Sequence, residues 1–122
     1  MPYGHWVMDE SNSRVEPPQH IINTDTAETL AKYMRLVVTS GTGRTVSATK
    51  PAIAGKTGTA EIHAAPSHAW FIGFAPYAGP KRAAFAVVVE NGQYGGSAAA
   101  PIAADLVAAI DELGLLKEAE AK

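Results

Sequence analysis

A chain of 122 residues, 47 % hydrophobic and 18 % charged, is long enough for one modest domain with a usable core and too apolar for a disordered tail. Its formal net charge of -2, without clustering of basic residues, argues against nucleic acid or an anionic membrane as an obligate partner. The absence of cysteine removes disulfides, cysteine-rich zinc sites and a thiol nucleophile, and fits an oxidising compartment.

Residues 1–23 read as a loose hairpin and lead-in. His5-Trp6-Val7-Met8 and the segment ending in Arg14-Val15-Glu16 are extended, Asp9 to Ser13 is rich in turn residues, and Pro17-Pro18 blocks any continuing ladder. Asp25 and Glu28 then have capping-box spacing, with Asp in place of Ser or Thr. Ala27, Leu30, Ala31, Met34, Val37 and Val38 recur at helical spacing, and Gly41 supplies the stop, which predicts a helix over 25–40. Gly41 to Arg44 is a loop.

Strand character follows at Ala52–Ile62 and at His68–Ala75, where Trp70, Ile72 and Phe74 alternate with Ala69, Phe71 and Gly73. A third strand, Arg82–Glu90, is apolar on both faces, which predicts cover on both sides. The connections at Ala64–Ser67 and Tyr77–Lys81 are short enough for antiparallel neighbours. Pro101 opens a last helix over 101–113, with Ile102, Leu106, Val107, Ile110 and Leu113 on one stripe and Gly114 at its end. The core is expected over 24–116, with a fraying tail over 117–122 and no second domain. No apolar run approaches the roughly 18 residues of a membrane span, and no signal-peptide core is visible at the N-terminus. The chain is therefore expected to be soluble, any targeting signal lying on a longer parent.

Chemistry concentrates in Ala54-Gly55-Lys56-Thr57-Gly58-Thr59-Ala60-Glu61. Two glycines within four residues are unfavourable inside a strand, and a close approach by a ligand or another backbone is one reason to accept them. Period two puts Lys56 and Gly58 on one face and Thr57 and Thr59 on the other. Gly58 clears space beside the ammonium, the two hydroxyls form a polar pair suited to a carboxylate, and the strand edge offers N–H groups to a developing oxyanion. The layout suits a peptide that docks as an additional strand. A phosphate-binding loop is the first rival, because Gly55-Lys56-Thr57 matches the end of that motif. It fails twice: Lys50 stands where the earlier glycine is required, and a strand follows where a helix is needed.

The Lys-Thr-Gly segment, followed by His68-Ala69-Trp70-Phe71-Ile72-Gly73-Phe74-Ala75-Pro76, then Val87 to Gly92, then Gly95-Gly96 and Ala100-Pro101-Ile102-Ala103, resembles the C-terminal part of penicillin-binding proteins. The resemblance is closest to the class B transpeptidases of cell elongation and covers about residues 20–115. It implies an α+β fold in which an antiparallel sheet is flanked by helices, part of the serine β-lactamase/penicillin-binding transpeptidase fold. It implies an active-site-serine D,D-transpeptidase that cross-links peptidoglycan stem peptides and is acylated by β-lactams, on the extracytoplasmic face of the bacterial cytoplasmic membrane, without a cofactor or metal. Lys56 would then support proton transfer and attract the substrate carboxylate. Thr57 and Thr59 would bind that carboxylate, the backbone N–H of Thr59 would supply half of the oxyanion hole, and Gly58 would allow close approach. Trp70 would be a packing residue.

The family's Ser-x-x-Lys and Ser-x-Asn motifs are missing. Ser47-Ala48-Thr49-Lys50 satisfies the first as text, but Pro51 biases Lys50 away from helical backbone, and so short a connection leaves Ser47 beside the Lys56 strand instead of across a cleft from it. The nucleophile is therefore expected to be absent and the chain to be a fragment, inactive alone, needing the remainder of the transpeptidase domain. A non-catalytic peptide-binding or structural module is the alternative. In the family the 82–90 strand pairs with a segment not found here, which predicts a homodimer through that edge. His63 and His68 lack a third ligand at useful spacing and read as solvated loop histidines, Arg44 as a solvated loop charge, and Met8 and Met34 as core or edge residues.

Overall fold

Asn23, two residues ahead of Asp25, starts the first helix. Its side-chain oxygen accepts the N–H of Thr26 at 2.8 Å, and α1 runs Thr24–Ser40. Asp25 falls in the first turn, where its charge suits the helix dipole without capping it. These features come from a computed structural model that describes Pro17 and residues 19–117. The hairpin expected over 1–23 and Met8 fall almost wholly outside the described residues, as does the tail beyond Lys117. Gly41 ends α1 in extended backbone, with φ of -112°, and a side chain there would press on the Val37 carbonyl.

Three strands follow: β1 Ala54–Ile62, β2 Ala65–Ala75 and β3 Ala83–Val89. They form one antiparallel sheet in the order β1-β2-β3, in keeping with the expected α+β class. β2 begins three residues earlier than the alternation of Trp70, Ile72 and Phe74 suggests, because a turn at His63-Ala64, with Ala64 at φ of 59°, lets pairing resume at Ile62↔Ala65.

One face of the sheet carries the core. Ala69, Phe71 and Ala75 are buried there together with Val38 of α1, Val46, Ile53 and the residues Ala99, Ala100, Ala103 and Val107. Phe71 and Phe85 stack at 6.1 Å between centroids. The final helix, α2, spans Ala100–Glu112 and grows out of a π-helical turn at Gly95–Ala99. Its buried face is Ala100, Ala103 and Val107, so of the expected stripe of Ile102, Leu106, Val107, Ile110 and Leu113 only Val107 is fully buried, and Leu113 is exposed. Ile102 and Leu106 are exposed. Alanines let the helix axis approach the sheet closely, and that proximity outweighs the larger burial that branched residues would gain at a greater distance.

The opposite face carries Lys56, Gly58, Trp70, Ile72, Phe74, Ala84, Ala86 and Val88, and it is open. Ile72 and Val88 are each 47 % exposed and Trp70 38 %. The expected cover on both sides of β3 is therefore not found among the described residues, and Trp70 is not an enclosed packing residue. Helix α1 flanks this face across a groove of about 410 Å³ lined by Leu30, Ala31, Met34, Ile72, Phe74 and Ala84. Arg35 ties α1 to the start of β1: its guanidinium donates to the Ile53 carbonyl at 2.5 Å and lies over the Tyr77 ring. Tyr77 in turn donates its backbone N–H to the Ala52 carbonyl at 2.7 Å.

Candidate functional site

β1 lies at one edge of the sheet, with β2 as its only strand neighbour among the described residues. Along its outer side the backbone N–H and C=O groups have no ladder partner and are offered to an incoming extended chain. Register fixes what each face presents. Lys56 pairs with Ile72 and Gly58 with Trp70 on the open face, while Thr57 pairs with Phe71 and Thr59 with Ala69 on the other. Lys56 and Thr59 are exposed and Thr57 half-buried. The Lys56 ammonium bends back to donate to the Thr57 carbonyl at 2.6 Å, which keeps the exposed cation close to the strand backbone.

Three further groups join this strand that sequence reasoning left unassigned. The Thr42 hydroxyl meets that of Thr57 at 2.5 Å, and the Thr45 hydroxyl donates to the Gly96 carbonyl at 2.7 Å. The loop before the 3-10 turn Arg44–Val46 thus supplies a third hydroxyl to the Thr57–Thr59 pair. Gly95 lies directly on the strand. A methyl group there would collide with the Trp70 carbonyl and stand 2.8 Å from the Gly58 oxygen and 3.1 Å from its nitrogen. The only sequence signal was the glycine spacing in Gly41-Thr42-Gly43 and Gly95-Gly96, which marks close backbone approach without naming its partner.

The two glycines of the motif have different causes. A side chain at Gly55 would run into the Phe71 ring at 2.5 Å and the Ile72 carbonyl at 2.7 Å, so Gly55 serves the core. Gly58 faces Trp70, whose Cβ would stand 3.3 Å from an added methyl. Its backbone, meanwhile, receives Gly95. The close approach foreseen from the sequence is made, in this chain, by another backbone.

Ser47 ends the 3-10 turn instead of opening a helix, and Lys50 lies in a bend before Pro51. Among the described residues the Lys56 ammonium hydrogen-bonds a backbone carbonyl and not a serine. No group of three or more metal-ligating side chains occurs among them. Arg44 is exposed, as is His63 in its turn. His68 departs from the expected solvated loop histidine. It lies within β2, half-buried, and its Nδ1 accepts the Asn91 N–H at 2.9 Å.

An ammonium, a bonded pair of hydroxyls with that of Thr59 further along the same face, and a strand edge can hold an extended peptide with a carboxylate; they cannot by themselves break a bond. Residues 5–108 match the family model described as the penicillin binding protein transpeptidase domain. Over 78 residues the chain is 45 % identical to the peptidoglycan D,D-transpeptidase MrdA of Acinetobacter baumannii, covering 52 % of this chain and 12 % of that protein. Over 59 residues it is 52 % identical to the peptidoglycan D,D-transpeptidase PbpA of Mycobacterium tuberculosis, covering 41 % of this chain and again 12 % of the relative. Among solved structures, Pseudomonas aeruginosa PBP2 in complex with WCK 5153 aligns with a TM-score of 0.69 and 39 % identity, over 90 % of this chain and 26 % of that one. The imipenem acyl-enzyme of penicillin-binding protein A from M. tuberculosis aligns with a TM-score of 0.56 and 36 % identity, over 78 % and 22 %.

Proposed function

The chain belongs to the penicillin-binding protein transpeptidase family, and from that premise we propose that β1 is the substrate-docking wall of a peptidoglycan D,D-transpeptidase. The observation that carries this reading is the position of Lys56–Thr59 at a free sheet edge, with cation and hydroxyls on opposite faces. A stem peptide pairs with the outer side of β1. Its terminal carboxylate, or that of a β-lactam, is held by Thr57 and Thr59, with Thr42 donating into the same cluster. The Thr59 N–H polarises the scissile carbonyl, and Lys56 lowers the cost of the charge that develops there. The serine that is acylated comes, in this reading, from a part of the transpeptidase domain other than residues 19–117, and the reaction takes place outside the cytoplasmic membrane. No described helix is long and apolar enough to cross a membrane.

Titration of the isotope-labelled chain with an N-acylated D-Ala-D-Ala peptide tests the docking step. Saturable shifts confined to residues 56–60 and 42, abolished by Lys56→Ala, are expected. Equal shifts in the Lys56→Ala chain would refute the assignment.

A further inference from the structure

Beyond the docking strand itself, the turn that follows β3 has an unusual construction. It runs from Glu90 to Tyr94 and places two non-glycine residues, Asn91 at φ of 54° and Gln93 at φ of 66°, in the left-handed region. Side chains disfavour that backbone, so such a turn persists only when its surroundings hold it. Two pins do so, both from the start of β2. The Gln93 N–H donates to the Ser67 carbonyl at 2.9 Å, and the Asn91 N–H donates to His68 Nδ1 at 2.9 Å. One residue past this turn comes Gly95, whose backbone rests on Gly58, and then Gly96, whose carbonyl is tied to Thr45. The turn therefore decides how the chain lies on the Lys56–Thr59 strand.

The His68 bond works in one protonation state only. Nδ1 accepts a backbone N–H, so the ring proton must sit on Nε2 and the imidazole must be neutral. Protonation puts a second N–H at Nδ1, facing that of Asn91, and the bond is lost. The charged and titratable groups around the ring are few. Glu90 opens the turn directly after Val89, the last paired residue of β3, and is exposed, while β1 places Ala60 opposite His68. Thr59 alternates to the other face, Glu61 lies in the irregularity between Ala60 and Ile62, Lys56 is two pairs further along the same face, and the turn itself contributes Tyr94.

We propose that His68 is the positioning residue that holds the Gly95–Gly96 segment against the Lys56–Thr59 strand, and that its neutral imidazole alone can do this. A ring protonated at Nδ1 would release the turn, lift Gly95 from Gly58 and loosen the hydroxyl pair that Gly96 borders. The consequence for carboxylate binding rests on the function proposed above; the coupling between His68 and Gly58 does not.

Backbone amide spectra of the 122-residue chain between pH 8 and pH 5 test the coupling without any ligand. The amides of Asn91, Gly95, Gly96 and Gly58 are expected to shift along one titration curve whose midpoint equals that of the His68 ring protons. In His68→Asn, where an amide oxygen replaces Nδ1 as a non-titrating acceptor, those four amides are expected to stay flat over the same range. In His68→Phe, hydrogen exchange at Asn91 should run about fivefold to tenfold faster than in His68→Asn at equal pH, the equivalent of one lost hydrogen bond. A Gly58 amide that ignores the His68 titration would overturn the proposal, as would identical pH profiles in the wild-type and His68→Asn chains. If Asn91 alone titrates, His68 secures its own turn and nothing further, and the positioning role is refuted. The wild-type curve decides the matter even where a variant folds poorly. Failure of D-Ala-D-Ala binding would leave these shifts unchanged, so the two readings fail separately.

Discussion

Thr42 and Thr57, fifteen residues apart in the chain, share a hydroxyl–hydroxyl hydrogen bond of 2.5 Å at the free edge of the sheet. A hydroxyl has one proton to give. For Thr57 to donate to a bound carboxylate it must accept from Thr42, so Thr42 sets the direction in which the Thr57 proton points. Thr42→Val is expected to weaken binding of an N-acylated D-Ala-D-Ala peptide about threefold to tenfold, the usual net worth of one such bond. The bond is exposed, so the melting temperature should barely move. Calorimetric or NMR titration beside a thermal melt checks both outcomes, and unchanged affinity would remove Thr42 from the site.

Gly95 makes a sharper stability prediction. A methyl group at that position strikes the Trp70 carbonyl and crowds Gly58, whereas one at Gly58 meets only Trp70 Cβ at 3.3 Å. Gly95→Ala is expected to cost about 1–3 kcal/mol, the range for overpacked interiors, and Gly58→Ala markedly less. Urea denaturation of the two variants side by side measures the difference. Equal losses would mean that the Gly95 contact yields easily.

Ser47 is the residue to watch for covalent chemistry. It closes a 3-10 turn, away from any helix N-terminus, and Lys50 is in a bend. Incubation of the chain with a fluorescent penicillin should leave it unlabelled on a denaturing gel. A stable adduct mapped to Ser47 by mass spectrometry would require a different nucleophile assignment.

Among the described residues β3 has a strand neighbour on one side only, and Ala86 and Val88 are exposed on the open face beside it. Concentration-dependent self-association is expected in sedimentation equilibrium, reduced by Val88→Lys, which sets a charge on that strand. A monomer at high concentration would exclude pairing of copies through β3.

Much of this architecture was readable from the residues. The alternation Trp70-Phe71-Ile72-Gly73-Phe74 dictates a strand because either face could be assigned by period alone, and the glycines of 55–58 announced that something approaches closely. What approaches was hidden, since Phe71 and Gly95 reach those glycines through long-range packing that local pattern does not encode. The buried face of α2 was misjudged for a related reason. Hydropathy favours Ile102 and Leu106 beside Val107, yet it is Ala100 and Ala103 that join Val107 on the buried face. Asn23 and Asp25 are equally good caps in isolation, and the choice depends on where the chain enters α1. His68 acquired its partner from a turn more than twenty residues away.

The two flanks of the sheet are chemically unlike. β1 carries two glycines, two threonines, a lysine and a glutamate among its nine residues; β3 is built of alanine, phenylalanine and valine alone. A guest strand laid along the first would meet glycine gaps between polar side chains. One laid along the second would meet an unbroken row of apolar side chains.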